Sequence, residues 1–211
     1  MRKLGLLAVS LIIAAGLATP AAASPGPSLA PGDMIRLAFI EYGCTVGFTG
    51  HSSMGDSVAV TAGHCAGPTG APAYRGFGTQ PIGHTRLATS VQQLDFAVLE
   101  LTGTVADTPI AAPGQVGEVV CKTGRMTGRT CGPIVTVTDD EVVAHLRLLP
   151  GDSGSPLRDS AGHVIGILSH TDDHSTPTAT WSAALSGQPQ LTTFPRADQI
   201  ATTMRRTGLL R

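Results

Sequence analysis

Short apolar runs, each cut off early by a turn signal, constrain this chain more than any other feature. Met34–Tyr42, Cys44–Phe48, Val58–Ala62, Leu94–Leu101, Gly117–Lys122, Ile134–Val137, Val142–Leu149, Val164–Ser169 and Thr178–Ala184 are rich in Val, Ile, Leu and Thr and bounded by Gly, Pro or Asp. Turn signals recur about every 8–12 residues, the spacing of an all-β sandwich or barrel. Composition agrees: 26 Gly and 15 Pro suit tight turns, and aromatics make up only 4% of 211 residues. Asparagine is absent, so turns with positive φ fall mainly to Gly, with some Asp. One helix is expected, at the C-terminus. There Ile200 and Met204 repeat at i, i+4, Pro195 suits a first helical position, and Thr192 and Thr193 are candidate caps. The Pro/Gly-rich stretch Thr108–Gly117 is the expected linker between two halves of similar length.

At 42% hydrophobic and 14% charged residues the chain is too apolar for disorder. Net charge is −1 with no Lys/Arg block, so neither nucleic acid nor a membrane surface is expected as a partner. The N-terminus reads as an export address. Met1-Arg2-Lys3 is short and basic, Leu4 to Leu17 is an apolar run broken only by small residues, and Ala21-Ala22-Ala23 offers a cleavage site. A run of roughly 14 residues is too short for a bilayer span, which needs about 20. Residues 1–23 are therefore expected to be a signal peptide and residues 24–33 an irregular start or a short pro-segment, with the protein outside the cell.

Export sets the reading of Cys44, Cys65, Cys121 and Cys131. In an oxidising compartment disulfides are the default, and the thiolate spacings of a zinc site are missing, so no metal is expected. Three pairings are possible. Export and spacing predict Cys44–Cys65 and Cys121–Cys131, each stapling one half of the chain.

Three residues stand where chemistry is easiest to build. His64 ends an apolar strand in Thr61-Ala62-Gly63-His64-Cys65, Asp95 opens the strand Leu94–Leu101, and Ser153 lies inside the turn Gly151-Asp152-Ser153-Gly154-Ser155-Pro156. A serine hydroxyl is a poor nucleophile until an imidazole removes its proton, and the imidazole needs a carboxylate to fix its tautomer. The order His, Asp, Ser excludes the α/β-hydrolase and subtilisin orders. Asp107 is the fallback carboxylate. His51, His84, His145, His163 and His174 read as surface or loop residues, Asp139-Asp140-Glu141 as a solvated hairpin turn, and Asp172-Asp173-His174 as a loop facing water.

These motifs resemble those of chymotrypsin-fold serine proteases, in the bacterial secreted branch of streptogrisins and α-lytic protease. Gly151–Pro156 is similar to that fold's nucleophile loop and Thr61–Cys65 to its histidine motif. Cys44-Thr45-Val46-Gly47-Phe48 and Cys121-Lys122-Thr123-Gly124 with Cys131-Gly132 are similar to the branch's two disulfide segments. The resemblance implies an all-β chain of two six-stranded antiparallel β-barrels, residues 34–112 and 113–211, with a C-terminal helix. It implies a monomeric endopeptidase that acts on peptide or protein substrates without a cofactor. His64 would be the base, Asp95 its orienting partner and Ser153 the nucleophile. The amides of Gly151 and Ser153 would form the oxyanion hole, Ser169 would hydrogen-bond Asp95, and the backbone of Ser169, His170 and Thr171 would pair with substrate. Lys122 would form an ion pair with Asp152.

The chain also departs from the pattern. Ser155 replaces a Gly, a third disulfide is missing, Thr171 and His170 replace smaller or different residues, Arg147 lies near the expected pocket floor, and no space is left for a long folding pro-region. Arg147 and His170 favour an acidic P1 residue, the acidic loop a basic one, and Thr171 a small one; a small or medium uncharged P1 is the expectation. The alternatives are a non-catalytic binding protein on the same fold and a secreted esterase with the same triad.

Overall fold

The computed structural model describes residues 28–37, 43–89, 94–171 and 185–211. Residues 1–27, the end of the expected strand Met34–Tyr42, the expected strand Thr178–Ala184 and the Asp172-Asp173-His174 loop lie outside the described residues. The chain first builds β1 (Met34–Leu37), β2 (Cys44–Thr45), β3 (Phe48–His51), β4 (Ser57–Thr61), β5 (Pro72–Arg75), β6 (Pro81–Thr89) and β7 (Phe96–Leu101). It then builds β8 (Val119–Gly124), β9 (Gly128–Val137), β10 (Glu141–Leu146), β11 (Pro156–Arg158), β12 (Val164–Ile167), β13 (His170–Thr171) and β14 (Gln190–Pro195), and ends in α1 (Ala197–Arg206).

Each half is one antiparallel sheet whose two edges are the same strand. The first sheet has seven segments in the order β2-β1-β5-β6-β7-β4-β3. Its edge segments β2 and β3 are separated in the chain only by Val46 and Gly47. One bent strand therefore pairs with β1 at one end and with β4 at the other, which closes the sheet into a barrel of six strands. The second sheet runs β12-β11-β8-β9-β10-β14-β13. It closes the same way, with Leu168 and Ser169 between β12 and β13. The bend at Gly47 needs glycine, because a Cβ there would lie 2.4 Å from Ile167 Cγ2 and 2.9 Å from the Gly154 carbonyl of the other barrel.

Apolar side chains gather in three places. Leu37, Val46, Ala59 and Leu99 fill the first barrel, while Ile134, Leu146, Leu157 and Ile165 fill the second. A third cluster lies between them, where Phe48, Val60 and Phe96 meet Ile167, Ile200 and Met204. The helix thus seals the seam, with Ile200 and Met204 buried as their spacing predicts. The stretch read as a linker is tied to both barrels. Thr108 N donates to Thr49 O at 2.9 Å, and Val164 N donates to Pro109 O at 2.9 Å.

The helix start is a correction. Pro195 is the last residue of β14, opposite Glu141, and Thr192 and Thr193 are ladder residues rather than caps. The pairing of β14 with β10 takes the backbone donors that a cap would have claimed, and α1 begins two residues later, behind Arg196. Strands β5, β6, β11 and β14 were not expected. Three of them open on Pro, which is tolerated at a first strand position but reads as a turn, and a bulge between Thr85 and Leu87 breaks the alternation in β6.

Met204 is fully buried in the seam between the barrels. Met204→Ala is expected to lower stability by about 2–5 kcal/mol, the usual cost of emptying a packed site. Urea unfolding monitored by circular dichroism checks this, and an unchanged midpoint would contradict the seam described above.

Candidate active site

Strand β4 is buried along its length, and at Ala62 the chain leaves the ladder for a 3₁₀ turn, Gly63–Cys65. The Cys44–Cys65 disulfide pins that turn to β2. A Cβ on Gly63 would fall 1.8 Å from Thr89 O and 2.8 Å from Asp95 Oδ1, so glycine is what lets the carboxylate approach. Asp95 then receives three donors. The His64 amide donates to Oδ1 at 2.8 Å, His64 Nδ1 lies 2.7 Å from Oδ2, and Ser169 Oγ donates to Oδ2 at 2.5 Å. Burial pushes the Asp95 carboxyl up, but the hydrogen bond and charge of His64, with Ser169, outweigh it and hold the carboxyl below its ordinary range. An ionised carboxylate only accepts, so Nδ1 carries its proton toward Asp95 and Nε2 is left to act as a base. His64 is the more open partner, its side chain 40% exposed against 17% for Asp95.

The Ser153 loop is folded by its own backbone and by β2. The Asp152 amide donates to Leu149 O at 2.9 Å, Ser155 N to Asp152 O at 2.9 Å, and Gly154 N to Leu168 O at 2.7 Å. Thr45 grips the loop twice, its amide on Ser153 O at 2.8 Å and its hydroxyl on Gly151 O at 3.0 Å. Gly151 and Gly154 sit at φ values of 100° and 85°. A Cβ on Gly154 would meet Thr45 O and Thr61 Oγ1 at 2.2 Å and Ala62 N at 3.1 Å. The residue after Ser153 therefore lies against the segment that leads into His64. Among the described residues the amides of Gly151 and Ser153 have no hydrogen-bond partner.

Asp152 is buried among residues of the second barrel, with no exposed side-chain surface. Lys122 Nζ lies 3.0 Å from its Oδ2, and that side chain is equally buried. Leu149 N donates to Oδ2 at 3.0 Å and Thr127 Oγ1 at 2.6 Å, while the amides of Met126 and Thr127 donate to Oδ1 at 2.7 and 3.2 Å. A Cβ on Gly124 would sit 2.4 Å from Oδ1, which explains a glycine at the end of β8. Ser155, where the related motif has Gly, is buried and donates to Asp152 O at 2.5 Å, so its hydroxyl is satisfied locally.

The other sequence candidates fall around this centre. His170 is exposed with Nδ1 3.0 Å from Ser169 Oγ, and Thr171 follows it on β13 against Thr192. Arg147 is exposed, and its carbonyl accepts from Thr130 Oγ1 at 2.7 Å. Asp107 is not near His64: it binds His51 at 2.7 Å and Arg211 at 3.0 Å on another face. Asp139 and Asp140 form the turn between β9 and β10. The second disulfide joins Cys121 and Cys131, which face each other across β8 and β9. Sequence reasoning missed Thr45 and Thr127, the two hydroxyls that hold the Ser153 loop. Thr45 lies in β2 and Thr127 in the turn between β8 and β9, and a threonine in a strand or a turn carries no signal of its own. Among the described residues no group of three or more His, Cys, Asp and Glu is arranged to hold a metal ion, and no helix is long and apolar enough to cross a membrane.

The lowered Asp95 carboxyl has a consequence for stability. The folded chain binds that proton less readily than the unfolded chain, so Asp95 contributes stability above its ordinary value of 3.8 and loses it as pH falls through the lower folded value. The stability gap between the wild type and Asp95→Asn is therefore expected to narrow on acidification below about pH 4, measured by urea midpoints across a pH series. A gap that widens toward acid would reverse the sign.

No protein-family model matches the chain. The uncharacterized protein Rv1815 of Mycobacterium tuberculosis strain H37Rv is 32% identical over 171 residues, covering 69% of this chain and 73% of the relative. Among solved structures, Thermobifida fusca protease A superposes with a TM-score of 0.66 at 19% identity over 84% of this chain and 96% of that one. The Nocardiopsis protease gives 0.65 at 20% over 84% and 96%, and the chymotrypsin of Cellulomonas bogoriensis gives 0.62 at 20% over 83% and 95%. The chain thus belongs to one family with the uncharacterized mycobacterial protein, built on the double-barrel fold of the bacterial chymotrypsin-type serine proteases.

Proposed function

We propose that the protein is a secreted serine endopeptidase that works through an acyl-enzyme on Ser153. The observation that carries this reading is the Ser169–Asp95–His64 chain of hydrogen bonds, beside a Ser153 loop whose Gly154 lies against Thr61 and Ala62, the residues that lead into His64. In this mechanism Ser153 Oγ attacks the scissile carbonyl carbon while His64 Nε2 takes the hydroxyl proton. Asp95 stabilises the imidazolium that results. The negative charge that forms on the carbonyl oxygen is met by the amides of Gly151 and Ser153, each such donor being worth about 10²–10³ in rate. The C–N bond then breaks, His64 hands its proton to the departing amine, and water activated by the same imidazole hydrolyses the ester. The backbone of Ser169–Thr171 would hold the substrate as an added strand, with a small or medium uncharged residue at P1. The export leader and the two disulfides support an extracellular site of action. Residues 34–112 and 113–211 would act as the two barrels of one monomer, with the cleft between them.

Ser153→Ala and His64→Ala are each expected to cut peptide hydrolysis by about 10⁶, and Asp95→Asn by about 10⁴ through the wrong tautomer. Hydrolysis of a peptide library by the purified protein, beside labelling with a fluorophosphonate, checks all three. A Ser153→Ala protein with the wild-type rate would overturn the mechanism. Cleavage confined to an ester panel would favour an esterase.

A further inference from the structure

Phe77 keeps 76% of its surface in water, yet it stands on a fixed turn, the one that joins β5 to β6. The Gly76 amide donates to Met34 O at 2.9 Å, Gly78 N donates to Arg75 O at 2.9 Å, and the Arg36 guanidinium donates to Gly78 O at 3.0 Å. Two arginines meet the aromatic rings of this hairpin from different barrels. The Arg36 guanidinium lies 4.4 Å from the Tyr74 ring centre. The Arg125 guanidinium, from the turn between β8 and β9, lies 5.6 Å from the ring centre of Phe77. Met126, beside Arg125, is 42% exposed, and Arg75 is paired with Asp33 at 3.1 Å. Neither hairpin brings a carboxylate: the sequence has no Asp or Glu between Asp56 and Asp95, nor between Glu118 and Asp139. A chain of net charge −1 thus gathers cations and apolar surface in one place. That place adjoins the Ser153 loop. Arg125 N donates to Thr45 Oγ1 at 3.1 Å, and the same hydroxyl donates to Gly151 O at 3.0 Å.

We propose that Arg36, Phe77, Arg125 and Met126 form a docking surface for an acidic segment of a protein substrate, apart from the residues on either side of the cleaved bond. Carboxylates of that segment meet the guanidinium groups, and an apolar side chain between them covers Phe77 and Met126. Aromatic residues, Met and Arg are the types that interfaces concentrate, and a rigid turn presents Phe77 with little ordering left to do on binding. Nucleic acid does not fit: three arginines, one already paired with Asp33, fall short of the roughly six to ten phosphate contacts such binding uses. As a surface for an acidic peptide the proposal stands on these residues alone; as a surface for substrate it rests on the endopeptidase reading.

The test uses Ser153→Ala protein, which leaves a bound peptide uncut. It is titrated with a fluorescein-labelled peptide of alternating Glu and Phe, and with the Lys and Phe counterpart, read by fluorescence polarisation. The acidic peptide is expected to bind and the basic one not. Affinity falls as salt rises from about 0.1 to 1 M, where the screening length drops from about 10 to 3 Å. Phe77→Ala and Arg125→Gln each weaken binding by about fivefold to thirtyfold, the range of an interface hot spot. With Ser153 restored, joining the acidic sequence to a cleavable peptide lowers KM, and Phe77→Ala removes that advantage. Equal binding of the acidic and basic peptides would overturn the proposal. So would an affinity that neither substitution moves, or tighter binding of an oligonucleotide or of anionic phospholipid vesicles. A tail that binds without lowering KM would overturn the assignment to substrate. Binding that follows Phe77 and Arg125 in a protein that hydrolyses no peptide would leave the surface standing and remove the endopeptidase reading.

Discussion

A carboxylate buried without exposed surface obliges the structure around it to supply charge and donors, and Asp152 organises much of the second barrel in this way. Lys122 comes from β8, Met126 and Thr127 from the hairpin that follows, and Leu149 from the loop itself. Gly124 is small because the carboxylate leaves no room for a side chain. Removing one partner from a buried pair of this kind costs about 3–5 kcal/mol, far more than any surface ion pair returns. The stabilisation is spent on shape: with Asp152 fixed, the peptide units on either side of it are fixed as well, and Thr45 holds the Gly151 and Ser153 carbonyls.

The two barrels meet through glycine. Gly47 admits Ile167 and the Gly154 carbonyl at the bend of the first barrel's closing strand. Gly154 admits Thr45 and Thr61 at the Ser153 loop, and Gly63 admits the Asp95 carboxylate beneath His64. Each is a place where backbone from one element must come within contact distance of another, and a methyl group would force them apart. The disulfides act on top of this packing, one closing the turn that carries His64 and the other bracing the β8–β9 pair that carries Lys122.

Departures from the related motifs prove to be locally accommodated. Ser155 buries its hydroxyl on the Asp152 carbonyl, so the loop keeps its path without the usual glycine. His170 is exposed, with Nδ1 3.0 Å from the Ser169 hydroxyl that donates to Asp95.

His64, Asp95 and Ser153 could be singled out from the sequence because each sits in a short stretch whose neighbours are themselves constrained: a glycine before the histidine, an apolar strand after the aspartate, glycines around the serine. The all-β class was legible for the same local reason, through turn residues at regular spacing. Strands β5, β6, β11 and β14 were not legible. Their backbones are extended because neighbouring strands take up their hydrogen bonds, while their residues include Pro, Gly and Gln that favour no strand. Nor could the sequence place α1 behind Arg196 rather than behind the threonines of β14. Those outcomes depend on which segments lie beside one another once both barrels close. Sequence alone determined the residue types, the cysteine count and the turn punctuation, all of which act over a few residues. Tertiary structure decided the partners, because hydrogen bonds to Asp95 and Asp152 join positions that lie tens of residues apart, and only packing brings them within 3 Å.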